Sequence, residues 1–439
     1  MSSHGGRHGK ARLGCAAVFC RETGFGNAQM NSADFLVVGA GVVGLTVARE
    51  LKQRYPDQSV LVIEKEASPG LHSSGRNSGV LHSGVYYPAS SLKAQVCGQG
   101  AREMADYCLE RGLALNRIGK LLIPVRAEDD AQLDVLSGRA QENKIVANEL
   151  NEKELREIEP EVRSATGRAL FVASTSVVDA RQVMNSLTED VRAAGVHIIT
   201  GARLNMIDHC SKNVRLASGK IDYGHLINAA GLHADRIAHM MGVGHRYTLL
   251  PFKGIYWKLR NDSGISVRHL VYPVPDLRVP FLGVHTTNST AGATYLGPTA
   301  APAFGRENYK GWEGVTPREL VRIAGLLAQQ YIAGRDGFRR LTWQEGRRLF
   351  KPWFVEAAQA LLPRLRAEYL ECTDKVGIRA QLLDKDTGKL VTDFLVERGP
   401  SSTHILNAIS PAFTSAFPFS RHVVDTFIRS SHSSDAVHR

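Results

Sequence analysis

The sequence predicts an α/β fold of two domains: a Rossmann-like dinucleotide-binding domain interleaved with an α+β domain on a discontinuous antiparallel sheet. Three observations carry this. An apolar run, Phe35 to Val38, leads into Gly39, Gly41 and Gly44 in G-x-G-x-x-G spacing, followed by helix-compatible sequence from Val42 to Arg54. From Leu249 to about Thr299 the character changes to short strands rich in Pro, Tyr, Phe and Val. At 439 residues the chain exceeds one ordinary core and suits two domains.

Each glycine of the first stretch answers a physical need. Gly39 permits a tight turn, Gly41 lets a pyrophosphate approach the backbone, and Gly44 lets the helix lie close against the strand. The phosphates then face the helix N-terminus, where unpaired N–H groups and the dipole favour anions. A second apolar strand, Val60 to Ile63, ends on Glu64. That acid lies about twenty residues beyond Gly44, placed to accept hydrogen bonds from a ribose.

After Glu64 the chain does not continue with the next helix and strand of a nicotinamide domain. Pro69 to Ser83 (PGLHSSGRNSGVLHS) is a polar, glycine-rich loop that suits a ligand covered along its length. This loop resembles the flavin-covering segment of the D-amino-acid-oxidase-like flavoprotein superfamily. Its continuation, Val80 to Tyr87 (VLHSGVYY), is similar to L-2-hydroxyglutarate dehydrogenases and oxidases. The resemblance implies FAD as the cofactor.

Similar blocks recur at Pro251 to Gly254 (PFKG), Tyr272 to Asp276 (YPVPD), Pro280 to His285 (PFLGVH), Leu296 to Pro298 (LGP) and Phe304 to Tyr309 (FGRENY). They continue at Gly377 to Gln381 (GIRAQ) and Asn407 to Ala416 (NAISPAFTSA), so the resemblance covers about residues 34 to 428. The cofactor contacts it implies are Gly39, Gly41, Gly44, Glu64, Lys65, Ser73, Ser74, Asn77, Ser78, Gly79, Ala230, Gly231, Gly377, Pro411, Thr414 and Ser415. The expected division is an FAD-binding domain of 31–115, 166–247 and 373–430 and a substrate domain of 116–165 and 248–372. A disordered extension is expected at 1–30.

Between these blocks, periodicity predicts helices over Leu92 to Arg111, Asp129 to Asn143, Glu152 to Ile158 and Arg181 to Ala194, the last followed by a strand at Val196 to Thr200. A strand ending in Asn228-Ala229-Ala230-Gly231 gives a small-residue turn that lets backbone approach a ligand. Thr316-Pro317-Arg318-Glu319 reads as a helix start, with Thr316 as cap, Pro317 in the first turn and Glu319 completing a capping box.

Oxidising a 2-hydroxy acid with a flavin requires a hydride acceptor, which the flavin supplies, and a base for the hydroxyl proton. Histidine has a suitable pKa. Of sixteen histidines, His285 and His82 fall in family-like blocks and are the candidates, with His285 preferred. A dicarboxylate substrate needs planar cations, and Arg379 in the GIRAQ block is the first choice for carboxylate binding. Lys253 and Arg278 rank second, with Tyr256 and Tyr272 as hydroxyl donors. Four positions depart from the family pattern: Arg76 stands where histidine is common, Ile255 where glutamate is, Thr299 where asparagine is, and Phe413 where alanine is. Arg76 and Phe413 bear on which acid fits.

The expected activity is oxidation of L-2-hydroxyglutarate to 2-oxoglutarate, with electrons passed to a quinone or other acceptor. Two alternatives are a sister flavoenzyme acting on another 2-hydroxy acid or an amino acid, and a non-catalytic electron-transfer flavoprotein. Net charge is +11, but no basic stripe with interleaved aromatics accompanies a nucleic-acid motif, so a nucleic-acid partner is not expected. The six cysteines form no C-x-x-C pair and no metal-like cluster, so no metal is expected either. Arg318 to Arg366 is strongly basic, with Arg339, Arg340, Arg347 and Arg348 set among Trp343, Phe350, Trp353 and Phe354. Such helices can dock on anionic lipid without spanning it. The expected location is cytoplasmic with peripheral contact on an inner membrane face. It is preferred to mitochondrial because Met1 to Met30, though acid-poor, makes a poor amphipathic helix.

Overall fold

The computed structural model describes residues 31–277 and 281–428. The expected extension at 1–30 and the candidate Arg278 lie outside them.

Strand β1 (Ser32–Val38) runs into helix α1 (Val42–Arg54), which returns the chain to β2 (Val60–Ile63). Burial on both faces explains why these strands read as unbroken apolar runs. Phe35, Val37, Val60 and Val62 pack with Leu45, Ala48 and Leu51 of α1 on one face. Leu36, Val38, Leu61 and Ile63 pack into a second core on the other.

β1 pairs in parallel with β2 on one side and with Gly219–Asn228 on the other, so that Val38 lies level with Ile63 and Asn228. His197–Ile199 adds in parallel beyond β2, and Ser402–Asn407 in parallel beyond Gly219–Asn228. The chain leaves β1 in one direction and Gly219–Asn228 lies in the other. The carboxyl end of β1 is therefore the switch point of the sheet, where open α/β folds bind ligands.

A second, six-stranded sheet is centred on Tyr247–Leu259 and Leu370–Asp384, paired antiparallel along most of their length. His285–Asn288 and Thr294–Gly297 extend it. A four-stranded sheet sets Lys120–Ile123 between Leu270–Pro273 and Ala169–Val172.

Two features differ from the division expected by sequence. Ala169–Val172, assigned above to the cofactor domain, pairs with Lys120–Ile123, because its apolar residues complete that small sheet's core. The boundary placed at 373 falls inside Leu370–Asp384, whose pairing with Tyr247–Leu259 carries the strand unbroken between the two regions.

Helices occupy Leu92–Glu110, Asp130–Glu142, Glu152–Ile158 and Ala180–Ala193. Helix Pro317–Ala333 is capped by Thr316, but Glu319 does not complete a capping box. Its carboxylate is drawn instead to Arg236, Arg306 and Arg322.

Candidate active site

A cavity of about 670 Å³ opens at the switch point and runs from the glycine turn to the antiparallel sheet. At its first end, Gly39 has φ +104 and a Cβ there would lie 2.7 Å from the Ala229 carbonyl oxygen, so only glycine fits without strain. Gly41 lines the cavity at the start of α1, where no side chain caps the helix in the usual way. The Val42 N–H donates to Ser74 Oγ at 2.9 Å. Glu64 Oε2 accepts the Ala40 N–H at 2.8 Å and its Oε1 the Glu66 N–H at 3.0 Å, which fixes the acid at the end of β2. These residues fit a dinucleotide: helix N–H groups for phosphate, a held acid for ribose, and a glycine turn that admits both.

The covering loop is tied down along the cavity. Ser73 Oγ donates to the Ile378 carbonyl at 2.9 Å, and Asn77 braces the loop through Ser74 and Gly79. Thr414 Oγ1 accepts the His82 N–H at 3.2 Å and donates to the Val80 carbonyl at 3.3 Å, joining the carboxy-terminal segment to the loop. Lys65, Ser78, Ala230, Gly231, Gly377 and Pro411 also line the cavity. Gly44, Gly79 and Ser415 do not; each serves packing. A Cβ at Gly44 would lie 1.9 Å from the Gly39 oxygen and one at Gly79 2.1 Å from the Val178 oxygen, while Ser415 is buried against Gly100.

At the far end, His82, His285, Arg379, Tyr256 and Tyr272 line one space. His285 stacks on Tyr272 with ring centroids 3.8 Å apart and planes at 18°. Its Nδ1 lies 2.8 Å from the Gly283 carbonyl oxygen, which can only accept. Nδ1 therefore carries the proton, and in the neutral ring Nε2 holds a lone pair. Burial pushes His285 down to about 3, opposed by its hydrogen bond to Gly283 and reinforced to a smaller degree by the charges of Lys120 and Arg379. Burial and the same cations also hold His82 well below its ordinary value. Both rings are neutral at physiological pH.

Arg379 is half-buried, with its guanidinium 5.2 Å from the centre of the Phe281 ring. Desolvation lowers its pKa, opposed by Tyr256, Tyr87 and Glu345. Tyr256 is pushed up to about 12 by burial, so its hydroxyl stays protonated and can donate. Lys253 is not at the cavity wall: its ammonium donates to Asn308 Oδ1 at 3.2 Å. Of the departures noted in sequence, Arg76, Thr299 and Phe413 line the cavity. Arg76 stacks 4.3 Å over Tyr309 and donates to the Leu71 carbonyl.

Three groups of residues escaped the sequence reading. Glu345 lines the cavity and accepts the Ala300 N–H at 2.6 Å. Glu66, His72 and Glu307 bring oxygen and nitrogen atoms within 4.8 Å of one another, but the Lys65 ammonium sits among them, 2.7 Å from Glu307. Lys120 lies fully buried against the Tyr272 ring on which His285 stacks. The FGRENY block marked Glu307 in sequence; nothing local marked Lys120 or Glu345, because long-range pairing brings them here.

The fold and cradle define a flavin-dependent oxidoreductase, and comparison with known proteins agrees. The family model described as FAD dependent oxidoreductase (DAO) matches residues 34–426. The chain is similar to L-2-hydroxyglutarate dehydrogenase of Escherichia coli (strain K12), 33% identical over 92% of this chain and 98% of that protein. It is also similar to the mitochondrial L-2-hydroxyglutarate dehydrogenase of Homo sapiens, 32% identical over 91% and 89%. Among solved structures, FAD-bound L-alpha-glycerophosphate oxidase from Mycoplasma pneumoniae superposes with TM-score 0.70 at 22% identity, covering 90% of this chain and 94% of that one. Glycine oxidase from Geobacillus kaustophilus superposes with TM-score 0.65 at 16% identity, covering 90% and 94%. The chain belongs to the L-2-hydroxyglutarate dehydrogenase family of FAD-dependent oxidoreductases.

Proposed function

We propose that the protein oxidises L-2-hydroxyglutarate to 2-oxoglutarate. The observation that carries this reading is His285, its Nδ1 tied to the Gly283 carbonyl, lining one space with Arg379. FAD, held by the Gly39–Gly41 turn, Ser74 and Glu64, would supply the two-electron oxidant for the substrate Cα–H. His285 Nε2 takes the hydroxyl proton as the carbonyl forms. Arg379 holds a carboxylate through its planar fork, and Tyr256 donates a hydroxyl to the substrate. His82 orients substrate or flavin beside it. The arriving dianion raises the proton affinity of His285 from the low value that burial imposes, so the base becomes effective when substrate is present. A panel of L- and D-2-hydroxyglutarate, other 2-hydroxy acids and amino acids with a dye acceptor tests the reading. 2-Oxoglutarate formed from the L-acid alone supports it. Turnover of a different acid instead assigns the sister activity, a reading that Arg76 and Phe413 at the cavity wall would favour.

The electrons pass to a quinone or other acceptor, and a cytoplasmic protein docked on the membrane would deliver them. Helices Pro317–Ala333, Phe338–Arg347 and Lys351–Gln359 leave Ile332, Trp343 and Phe350 exposed beside Arg339, Arg340 and Arg347. Arg347 lies 3.5 Å over the Trp353 ring. This pairing of cations with exposed aromatics supports contact with anionic lipid. Among the described residues, no helix is long and apolar enough to cross a membrane. Flotation with anionic but not neutral vesicles, lost in salt and on charge reversal at Arg339, Arg340, Arg347 and Arg348, checks the contact. Recovery in the soluble fraction throughout would leave oxygen or a soluble carrier as acceptor.

A further inference from the structure

Lys120 opens the strand Lys120–Ile123, and its side chain is fully buried. Its Nζ has no hydrogen-bond partner among the described residues. The ammonium lies 4.6 Å from the centre of the Tyr86 ring and 5.3 Å from that of Tyr272. Tyr272 is the ring on which His285 stacks. Cation–π contact partly replaces the water that the ammonium has lost, but two tyrosine faces do not neutralise a charge. The nearby thiol of Cys97 is pushed up to about 12 by burial and stays neutral. A bare cation held at this expense in stability, one ring away from a base, calls for a functional account.

We infer that Lys120 is a positioning residue for the reaction: its ammonium, fixed against the Tyr272 ring on which His285 stacks, adds to burial in disfavouring a positive charge on His285 and His82 and so tunes how readily His285 Nε2 takes and releases the substrate proton. The charged and titratable groups around the pair come from several elements: Lys120 from its strand, Arg379 from Leu370–Asp384, Tyr272 from Leu270–Pro273, and His285 itself for His82. Arg379 also repels a proton, but in the proposed function the substrate carboxylate engages it. Lys120, shut away from the cavity, keeps its charge toward the ring when substrate binds. It thereby sets the balance between a base that is free before binding and one strong enough to accept a proton afterwards.

The inference rests on His285 as the base, and its test separates the two ideas. The FAD-loaded protein, labelled at histidine ring carbons, is titrated by NMR, with the His285 signal assigned by its loss in His285→Gln. In Lys120→Met, which replaces the ammonium with an apolar chain of similar length, the His285 midpoint should move to higher pH by roughly half a unit, the effect of a charge one ring removed in a buried site. The acid limb of the pH profile of flavin reduction should move the same way. Lys120→Arg, which keeps the charge, should stay nearer the wild-type midpoint than Lys120→Met. If Met does not yield FAD-loaded protein, Lys120→Gln provides the neutral variant. An unchanged His285 midpoint in a folded, neutral variant overturns the role of Lys120. So do equal shifts in the Arg and Met variants, which would trace the effect to packing. A shifted midpoint with an unshifted reduction profile would keep the electrostatic coupling but remove His285 as the base.

Discussion

Replacing Gly44 with alanine should remove flavin and fold stability together, whereas the same change at Gly41 should remove flavin alone. At Gly44 a Cβ would stand 1.9 Å from the Gly39 carbonyl oxygen and 3.5 Å from the Ala229 Cβ. Ordinary contact begins at 3.4 Å, so α1 must retreat from the turn by roughly 1.5 Å against backbone that cannot turn aside. Overpacking of this kind costs about 1–3 kcal/mol, and the backbone clash places Gly44→Ala at the upper end. At about 2–4 °C per kcal/mol for a domain of this size, the apoprotein Tm should fall by on the order of 5–10 °C. At Gly41 a Cβ meets only Ser74 Oγ, at 3.0 Å. That hydroxyl can rotate away at the loss of one hydrogen bond, about 1 kcal/mol, while the methyl fills the pyrophosphate approach. Apoprotein melting and flavin-to-protein ratio after desalting are the assays. Flavin retained in Gly44→Ala, or a Gly41→Ala apoprotein melting as low as Gly44→Ala, would refute the division of labour between the two glycines.

Other outcomes follow from the same structure. Arg379→Lys should lower kcat/KM by on the order of tenfold to a hundredfold, since one charged hydrogen bond worth about 1.5–3 kcal/mol is lost with the fork; wild-type kinetics would remove Arg379 from the site. Lys120, pushed by burial from 10.5 down to about 8, binds fewer protons folded than unfolded between those values, so stability should rise with pH across that window. At neutral pH the buried charge costs up to about 3 kcal/mol, and denaturant melts should show Lys120→Met to be more stable than wild type by an amount of that order. His285, at about 3, and His404, at about 4, are neutral when folded but charge on unfolding below about 6.5. Acid titrations of stability should therefore show a loss as pH falls from about 6.5 toward 4, reduced in His404→Gln.

The cofactor half of the molecule was legible in sequence because its signals are local. Gly39, Gly41 and Glu64 are set by one βαβ unit, and burial of that unit on both faces wrote the apolar runs of β1 and β2 directly into the chain. The candidate catalytic end was legible only through family-like blocks. His285 and Tyr272 are thirteen residues apart and meet because Leu270–Pro273 and His285–Asn288 belong to different sheets brought side by side. Lys120 had no such signal: a lysine at the start of an apolar strand ordinarily reads as a solvated edge, and only the assembled fold buries it. Lys253 illustrates the converse. Its block is family-like, yet strand alternation turns its ammonium toward Asn308 rather than the cavity. The expected capping box at Glu319 failed because three arginines compete for its carboxylate, a tertiary effect that local spacing does not encode.

In the proposed function, FAD in this cavity is reduced directly by L-2-hydroxyglutarate, with His285 taking the proton. Anaerobic single-turnover mixing of the FAD-loaded protein with L-2-hydroxyglutarate, followed by flavin absorbance, tests it most directly. Complete bleaching by the L-acid, slowed by deuterium at Cα and by on the order of 10²–10⁴-fold in His285→Gln, is the result expected of a hydride donor with a general base. Flavin that stays oxidised with the L-acid, or a His285→Gln variant that bleaches at the wild-type rate, would contradict it.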